Sequence, residues 1–281
     1  MIRSFIIPVA VVLIASIAYA QEQKATAKPS IPSDGEKAAA AVKDSPRHGE
    51  WVDVPLKEGE AKIHTWVVYP ERKDKAPVVL VIHEIFGMTD WVRAVVDQLA
   101  SEGYIAVAPD LLSGKGPGNG GTESFKGDEV RNAIRTLTPD DVAARLNAVR
   151  DYALALSAAN GKSASIGFCW GGSASFNYAV HQPKLNAAVV YYGSAPKEKD
   201  ELAKIAAPVL GCYGGSDSRV TATVADTEKA MKELNKPYEP HVYDGAGHGF
   251  LRQQSGQNGA NQKAAEQAWT ETIQFLKKHL E

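Results

Sequence analysis

The sequence predicts an α/β fold: a mostly parallel central sheet with helices on both faces. Three observations carry this. Short, wholly apolar runs recur along the chain, as strands buried on both faces require. Segments with helical apolar spacing separate them, and strand–helix alternation is the signature of parallel sheets. The chain of 281 residues, 44 % hydrophobic and 23 % charged, has ordinary globular composition and can bury a core without metals or disulfides. Lys+Arg 31 against Asp+Glu 33 gives a net charge of −2, so no basic excess points to nucleic acid. Two cysteines cannot build a disulfide scaffold.

The first twenty residues read as an address. Arg3 precedes a mostly apolar stretch that ends at Ala18-Tyr19-Ala20, the parts of a secretory signal. The alternative is an uncleaved anchor, but the stretch is short for a span of about 20 residues. Cleavage after Ala20 is expected, with export to the periplasm or medium and no stable membrane insertion afterwards. Residues 21–47, rich in Ala, Lys, Pro and Ser, read as a flexible tether. Residues 48–281 form the expected catalytic domain.

Residues 62–69 are β-branched and aromatic, a strand. Residues 77–82, Pro-Val-Val-Leu-Val-Ile, form a second, fully buried one. Helical spacing runs over 91–102 and stops at Gly103. Residues 104–108 are again apolar and extended. Thr138 is placed to cap a helix whose first residue is Pro139 and which runs to about Ser157. Strands follow at 163–168, 187–192, 208–213 and 238–243, and a last helix covers about 262–279. In such sheets function sits in loops after the strand C-termini.

Three motifs there are decoys. Gly116-Pro117-Gly118-Asn119-Gly120-Gly121 matches G-x-G-x-x-G without a strand directly before it or a helix directly after. Gly161-Lys162-Ser163 resembles the end of a P-loop, but Leu156 stands where the first glycine belongs. His83-Glu84 starts like a zinc motif, yet Gly87 occupies the place of the second histidine. Neither metal nor cofactor is expected.

The sharpest signal is Gly167-Phe168-Cys169-Trp170-Gly171-Gly172, a strand turning tightly into an alanine-rich helix. This is the setting of the nucleophile elbow, with Cys in place of Ser. The helix N-terminus beneath Cys169 is expected to lower its thiol pKa. A cysteine in isolation is more often a buried structural residue; glycines on both sides of a strand–helix junction favour the nucleophile. Asp217 follows the strand at 208–213 and His248 the strand at 238–243. Nucleophile, acid and histidine in this order match the α/β-hydrolase arrangement. His248 would be the base and Asp217 would orient its ring. The oxyanion donors would be the N–H of Trp170 and, from the loop after 77–82, the N–H of Ile85.

These residues resemble the dienelactone hydrolase (carboxymethylenebutenolidase-like) family of the α/β-hydrolase fold, over roughly residues 50–281. The carriers are His83-Glu84-Ile85-Phe86-Gly87, Ala108-Pro109-Asp110-Leu111, Gly167-Phe168-Cys169-Trp170-Gly171-Gly172, Tyr191-Tyr192-Gly193, Gly214-Gly215-Ser216-Asp217 and Gly245-Ala246-Gly247-His248-Gly249-Phe250. The resemblance implies hydrolysis of a small, carboxylate-bearing lactone or ester through a thioester acyl-enzyme. It implies that Glu84 pairs with the resting thiol and that substrate shifts this contact; the alternative is that Glu84 braces its loop. It implies that Arg252 binds the substrate carboxylate, although a side chain there could equally face solvent. It implies that Tyr191 lines the pocket, although strand packing would also explain it. A second family arginine falls in residues 114–137, which are rearranged here: Arg131 and Arg135 are nearby and neither aligns. A broad carboxylesterase is the closest competing activity, and a hydrolase-fold binding protein without turnover the more distant one. Cys169 and Cys212 are expected to stay unpaired. In the usual strand order one strand separates theirs, which puts them roughly 9–10 Å apart, beyond the ~7 Å reach of a disulfide.

Overall fold

The computed structural model describes residues 30–56 and 61–281. The signal expected over residues 1–20 lies outside the described residues. From the N-terminus the described elements are α1 (Ala38–Lys43), β1 (Gly49–Pro55), β2 (Lys62–Val68), β3 (Ala76–Ile82), α2 (Asp90–Ser101), β4 (Ile105–Pro109), α3 (Glu129–Arg135) and α4 (Pro139–Ala155). Then come β5 (Ala159–Phe168), α5 (Trp170–His181), β6 (Ala187–Tyr191), α6 (Lys199–Lys204), β7 (Val209–Gly214), α7 (Ser218–Thr221), α8 (Val224–Glu233), β8 (Tyr238–Tyr243) and α9 (Ala260–Leu280).

The eight described strands form one sheet in the order β1-β2-β4-β3-β5-β6-β7-β8. β2 is antiparallel to both its neighbours, and all other pairings are parallel. The apolar runs explain the centre. Every residue of β3, β4 and β6 is buried, because helices cover both faces. One core packs α2 and α9 against the sheet through Trp91, Val95, Leu99, Trp269 and Leu276. The other packs α4 and α5 on the opposite face through Leu146, Val149, Phe176 and Tyr178. Pro240 lies in β8, at the sheet edge, where its missing N–H costs no ladder bond. Thr138 caps α4 by accepting from the Asp141 N–H at 3.1 Å, with Pro139 in the first turn.

Residues 30–47, the described part of the expected tether, depart from that expectation. Pro32 and Ala38 are buried, and Ile31 and Val42 pack against the core around α2. Ser45 Oγ bonds Asp97 at 2.5 Å, and Arg47 Nε donates to the same carboxylate at 2.9 Å. Ala and Lys are good helix formers, so the composition that read as unstructured forms α1 once an apolar face finds a partner. The segment also continues into β1, which pairs with β2 from Gly49↔Val68 to Pro55↔Lys62.

β6 stands between β5 and β7, and both cysteines are free. Among the described residues no helix is long and apolar enough to cross a membrane.

Candidate active site

β5 delivers the chain to Cys169, which adopts φ +56° and ψ −116° before α5 begins. A non-glycine residue in that region carries roughly 1–3 kcal/mol of strain and persists only where its surroundings fix it. The neighbouring glycines do so by close approach. A Cβ on Gly167 would meet the Gly171 carbonyl oxygen at 1.9 Å, and one on Gly171 would meet that of His83 at 2.3 Å. The Cys169 N–H donates to the Tyr191 carbonyl at 3.0 Å. The side chain is thereby presented at the C-terminal edge of the sheet.

β7 ends in a turn closed by the Asp217 N–H donating to the Gly214 carbonyl at 3.0 Å. The Asp217 side chain is buried, and its Oδ2 lies 2.5 Å from His248 Nδ1. A carboxylate only accepts here, so Nδ1 carries the hydrogen and Nε2 is left with a free lone pair. The His248 ring packs edge-to-face on Tyr192 at 5.1 Å. Asn261 of α9 braces the His248 loop: its Oδ1 accepts from the Gly247 N–H at 2.9 Å, and its Nδ2 donates to the Gln253 carbonyl at 2.7 Å.

The loop after β3 is fixed by His83 and Asp110, which carry no site role in the sequence reading, and by Thr122, which that reading passes over. His83 is fully buried. Its Nε2 accepts from the Leu111 N–H at 3.3 Å, so Nδ1 is the donor to the Glu84 carbonyl at 2.9 Å. Burial holds its pKa down, in keeping with a neutral ring that stacks on Trp170 at 5.6 Å. Asp110 accepts from the Thr122 N–H at 2.6 Å and from Thr122 Oγ1 at 2.8 Å, and Thr122 Oγ1 accepts from the Met88 N–H at 3.1 Å. The residues that hold this loop are therefore the very His83 and Asp110 of the quoted motifs.

Glu84 is 3 % exposed, and Arg252 Nε donates to its Oε2 at 2.6 Å. Burial pushes the Glu84 carboxyl above its usual range, and the Arg252 charge and hydrogen bond pull it back. The Cys169 thiol is also raised, contrary to the expectation from the helix N-terminus. Burial is the largest cause and the Glu84 charge the second; the N–H groups of Trp170 and Ile85 and the charge of Arg219 oppose them. One helix end does not outweigh desolvation together with a facing carboxylate. Both expected oxyanion donors are thus among the groups that favour the thiolate.

Cys169, Ile85, Trp170, Ser173, Tyr192, Ser194, Arg135 and Arg219 line a cavity of about 390 Å³. A smaller apolar slot of about 80 Å³, bounded by Leu137, Val142 and Ala143, shares Trp170 and Ser173 with it. Of the expected site residues, Glu84, Asp217 and His248 stand outside this lining, and so do both expected substrate contacts, Tyr191 and Arg252. Tyr191 is fully buried in the core, with its hydroxyl 2.7 Å from Thr272 Oγ1. The next residue, Tyr192, lies past the strand end at φ +41° and supplies the aromatic wall instead. Arg252 is engaged with Glu84 and lies over the Phe86 ring at 5.1 Å. The cations of the wall are Arg135 and Arg219. No carboxylate among the described residues forms an ion pair with Arg219. Nor do the described residues contain a group of three His, Cys, Asp or Glu side chains placed to hold a metal.

Comparison with known proteins agrees with this architecture. The sequence pattern of the Dienelactone hydrolase family matches residues 63–280. A carboxymethylenebutenolidase of Pseudomonas sp. (strain P51) is 32 % identical over 212 residues, covering 73 % of this chain and 86 % of that protein. A Yersinia pestis protein, provisionally given the same enzyme name, is 32 % identical over 213 residues, covering 72 % and 78 %. A Klebsiella pneumoniae crystal structure, provisionally named a dienelactone hydrolase, superimposes with a TM-score of 0.73 at 28 % identity, covering 82 % of this chain and 98 % of the other. The elbow, the strand order and these likenesses converge: the chain is an α/β-hydrolase-fold hydrolase and belongs to the dienelactone hydrolase family.

Proposed function

We propose that the enzyme hydrolyses a small, carboxylate-bearing lactone or ester through a Cys169–His248–Asp217 triad. The observation that carries this reading is the His248 Nδ1–Asp217 Oδ2 contact of 2.5 Å, on the loops after β7 and β8 at the same C-terminal edge of the sheet as the Cys169 elbow after β5. His248 Nε2 takes the Cys169 proton. The thiolate attacks the carbonyl carbon, and the N–H groups of Ile85 and Trp170 receive the developing oxyanion. Collapse expels the alkoxide, which takes the proton from His248, and leaves a thioester. Water, deprotonated by His248, then attacks the thioester; the acid departs and the thiol is restored. For a lactone, alcohol and acid remain parts of one product. Glu84 opposes the resting thiolate until substrate alters its balance with Arg252.

Arg135 and Arg219 are the cavity cations best placed to meet a substrate carboxylate, the role that sequence reasoning gave Arg252. The apolar slot beside Trp170 favours a substrate with a small hydrocarbon part. It also supports a second reading, a carboxylesterase tolerant of neutral esters. In both readings the chain is exported by residues 1–20 and acts outside the cytoplasm. The test is turnover of a lactone and ester panel, with p-nitrophenyl acetate as the neutral member. Activity lost in Cys169→Ala is expected; full activity in that variant overturns the mechanism. Equal kcat/KM for charged and neutral members favours the carboxylesterase reading.

A further inference from the structure

The N-terminal segment reaches the turn that carries the proposed base. The Gly35 N–H donates to the Arg252 carbonyl at 2.9 Å. The Gln254 N–H donates to Asp34 Oδ2 at 2.8 Å, and Gln254 Nε2 donates to the Pro32 carbonyl at 2.8 Å and to the Leu251 carbonyl at 2.9 Å. Gln254 is 8 % exposed, so these bonds sit away from competing water. The fit is tight: a Cβ on Gly35 would lie 2.9 Å from Arg252 Cγ. The other oxygen of Asp34 accepts from the Glu36 N–H at 3.0 Å, which orients the carboxylate. Further along, Arg47 and Ser45 fasten the segment to Asp97 of α2. The segment itself lies before residue 63, where the family pattern starts, and its partners lie within the matched span.

We infer that residues 32–35 are a positioning strap, which fixes the backbone of the Arg252 turn and so holds the guanidinium on Glu84 within reach of Cys169. Asp34 and Gln254 are its positioning residues. The turn is one body: the Arg252 and Gln253 N–H groups both donate to the Gly249 carbonyl at 3.0 Å, one residue past His248. Asn261 braces it from α9, and the strap braces it from the opposite end of the chain. Loosening the strap frees the turn and moves the base away from the thiol, which disfavours the thiolate. While Glu84 stays ionised, loss of its counter-charge acts in the same direction.

The inference rests on the reading of Cys169 and His248 as nucleophile and base, and its test needs no ester substrate. The full chain is compared with Asp34→Ala, Asp34→Asn, Gln254→Glu and Glu36→Ala by the rate of Cys169 alkylation by iodoacetamide, at a temperature where circular dichroism shows all of them folded. Asp34→Ala is expected to slow alkylation about 5- to 30-fold, the size one or two net hydrogen bonds carry. Gln254→Glu, which sets an acceptor against two carbonyl oxygens, is expected to do the same. Asp34→Asn, which keeps a carbonyl acceptor, should recover most of the loss, and Glu36→Ala, whose side chain is exposed, should match the parent. Parent-like alkylation in both Asp34→Ala and Gln254→Glu overturns the strap. So does an equal slowing in Glu36→Ala, which would mark a general loosening. A parent that alkylates readily but hydrolyses no ester would count against the proposed function and leave this comparison intact.

Discussion

Glu84 and Arg252 meet at 2.6 Å across 168 residues of sequence, one on the loop after β3 and the other on the turn after β8. The pair joins the loop that supplies Ile85 to the turn that supplies His248. A buried carboxylate of this kind is costly without its partner.

Arg252→Ala should make folding stability strongly pH-dependent. With Arg252 gone, burial acts unopposed and the Glu84 pKa rises further. A carboxyl whose folded pKa exceeds its unfolded value binds its proton more tightly in the folded state. Stability is therefore undiminished below the unfolded value, about 4.3, and falls as pH rises through the folded pKa. Removing one partner of a buried pair costs about 3–5 kcal/mol; Arg252 is 25 % exposed, which places this variant at the low end. Urea unfolding from pH 4 to 8 measures it. Adding Glu84→Gln should abolish the extra slope, and a slope that survives that substitution contradicts the assignment.

Asp217→Asn should lower kcat by about 10²–10⁴-fold with little change in KM. The amide leaves His248 in place but favours the wrong tautomer, the defect known from serine triads. Steady-state kinetics on p-nitrophenyl acetate would show it. A kcat within threefold of the parent would remove Asp217 from the mechanism.

Substitution of either wall cation should act on charged substrates. Arg219→Ala and Arg135→Ala should each raise KM for a carboxylate-bearing lactone, by up to about 10- to 150-fold for a fully formed charge-assisted hydrogen bond. Both side chains are exposed, so the effect should shrink at high salt. KM for a neutral ester should stay near the parent value. Arg219→Ala should also move the pH profile of Cys169 alkylation to higher pH, because its charge favours the thiolate. Equal KM changes on charged and neutral substrates would assign both residues to loop support.

Denatured, unreduced protein should titrate two free thiols, since β6 separates the strands of Cys169 and Cys212. Burial pushes Cys212 up to about 12, so in the native state iodoacetamide should label Cys169 alone and abolish activity. EDTA should leave activity intact. Activity lost to EDTA and restored by zinc would replace the thiol mechanism with a metal one.

The parts legible in sequence are those that local sterics or burial dictate. Gly167, Gly171 and Gly172 announce the elbow because only glycine allows such close backbone contact, and the wholly apolar β3 and β6 announce a covered sheet. The parts that stayed hidden depend on tertiary choices. Whether Tyr191 or Tyr192 faces the cavity is settled by a positive φ one residue past the strand. Whether Arg252 meets substrate or Glu84 is settled by a carboxylate 168 residues away. The alanine- and lysine-rich segment before residue 48 has no strong pattern of its own. The order of residues 30–47 comes from Asp97 and Gln254, which lie far along the chain. The thiol was misjudged because a helix end is visible in sequence while desolvation is not.

The pairing of β1 with β2 bears on where the folded enzyme begins. The family pattern starts at residue 63, inside β2, yet seven residues of β1 cover that strand's outer ladder. A chain trimmed to the matched span would present a bare, β-branched edge carrying Trp66, the kind of surface that recruits other strands. The fragment defined by homology alone would thus be prone to aggregate, and a trimmed chain has to keep β1 and the segment from Ile31 that leads into it.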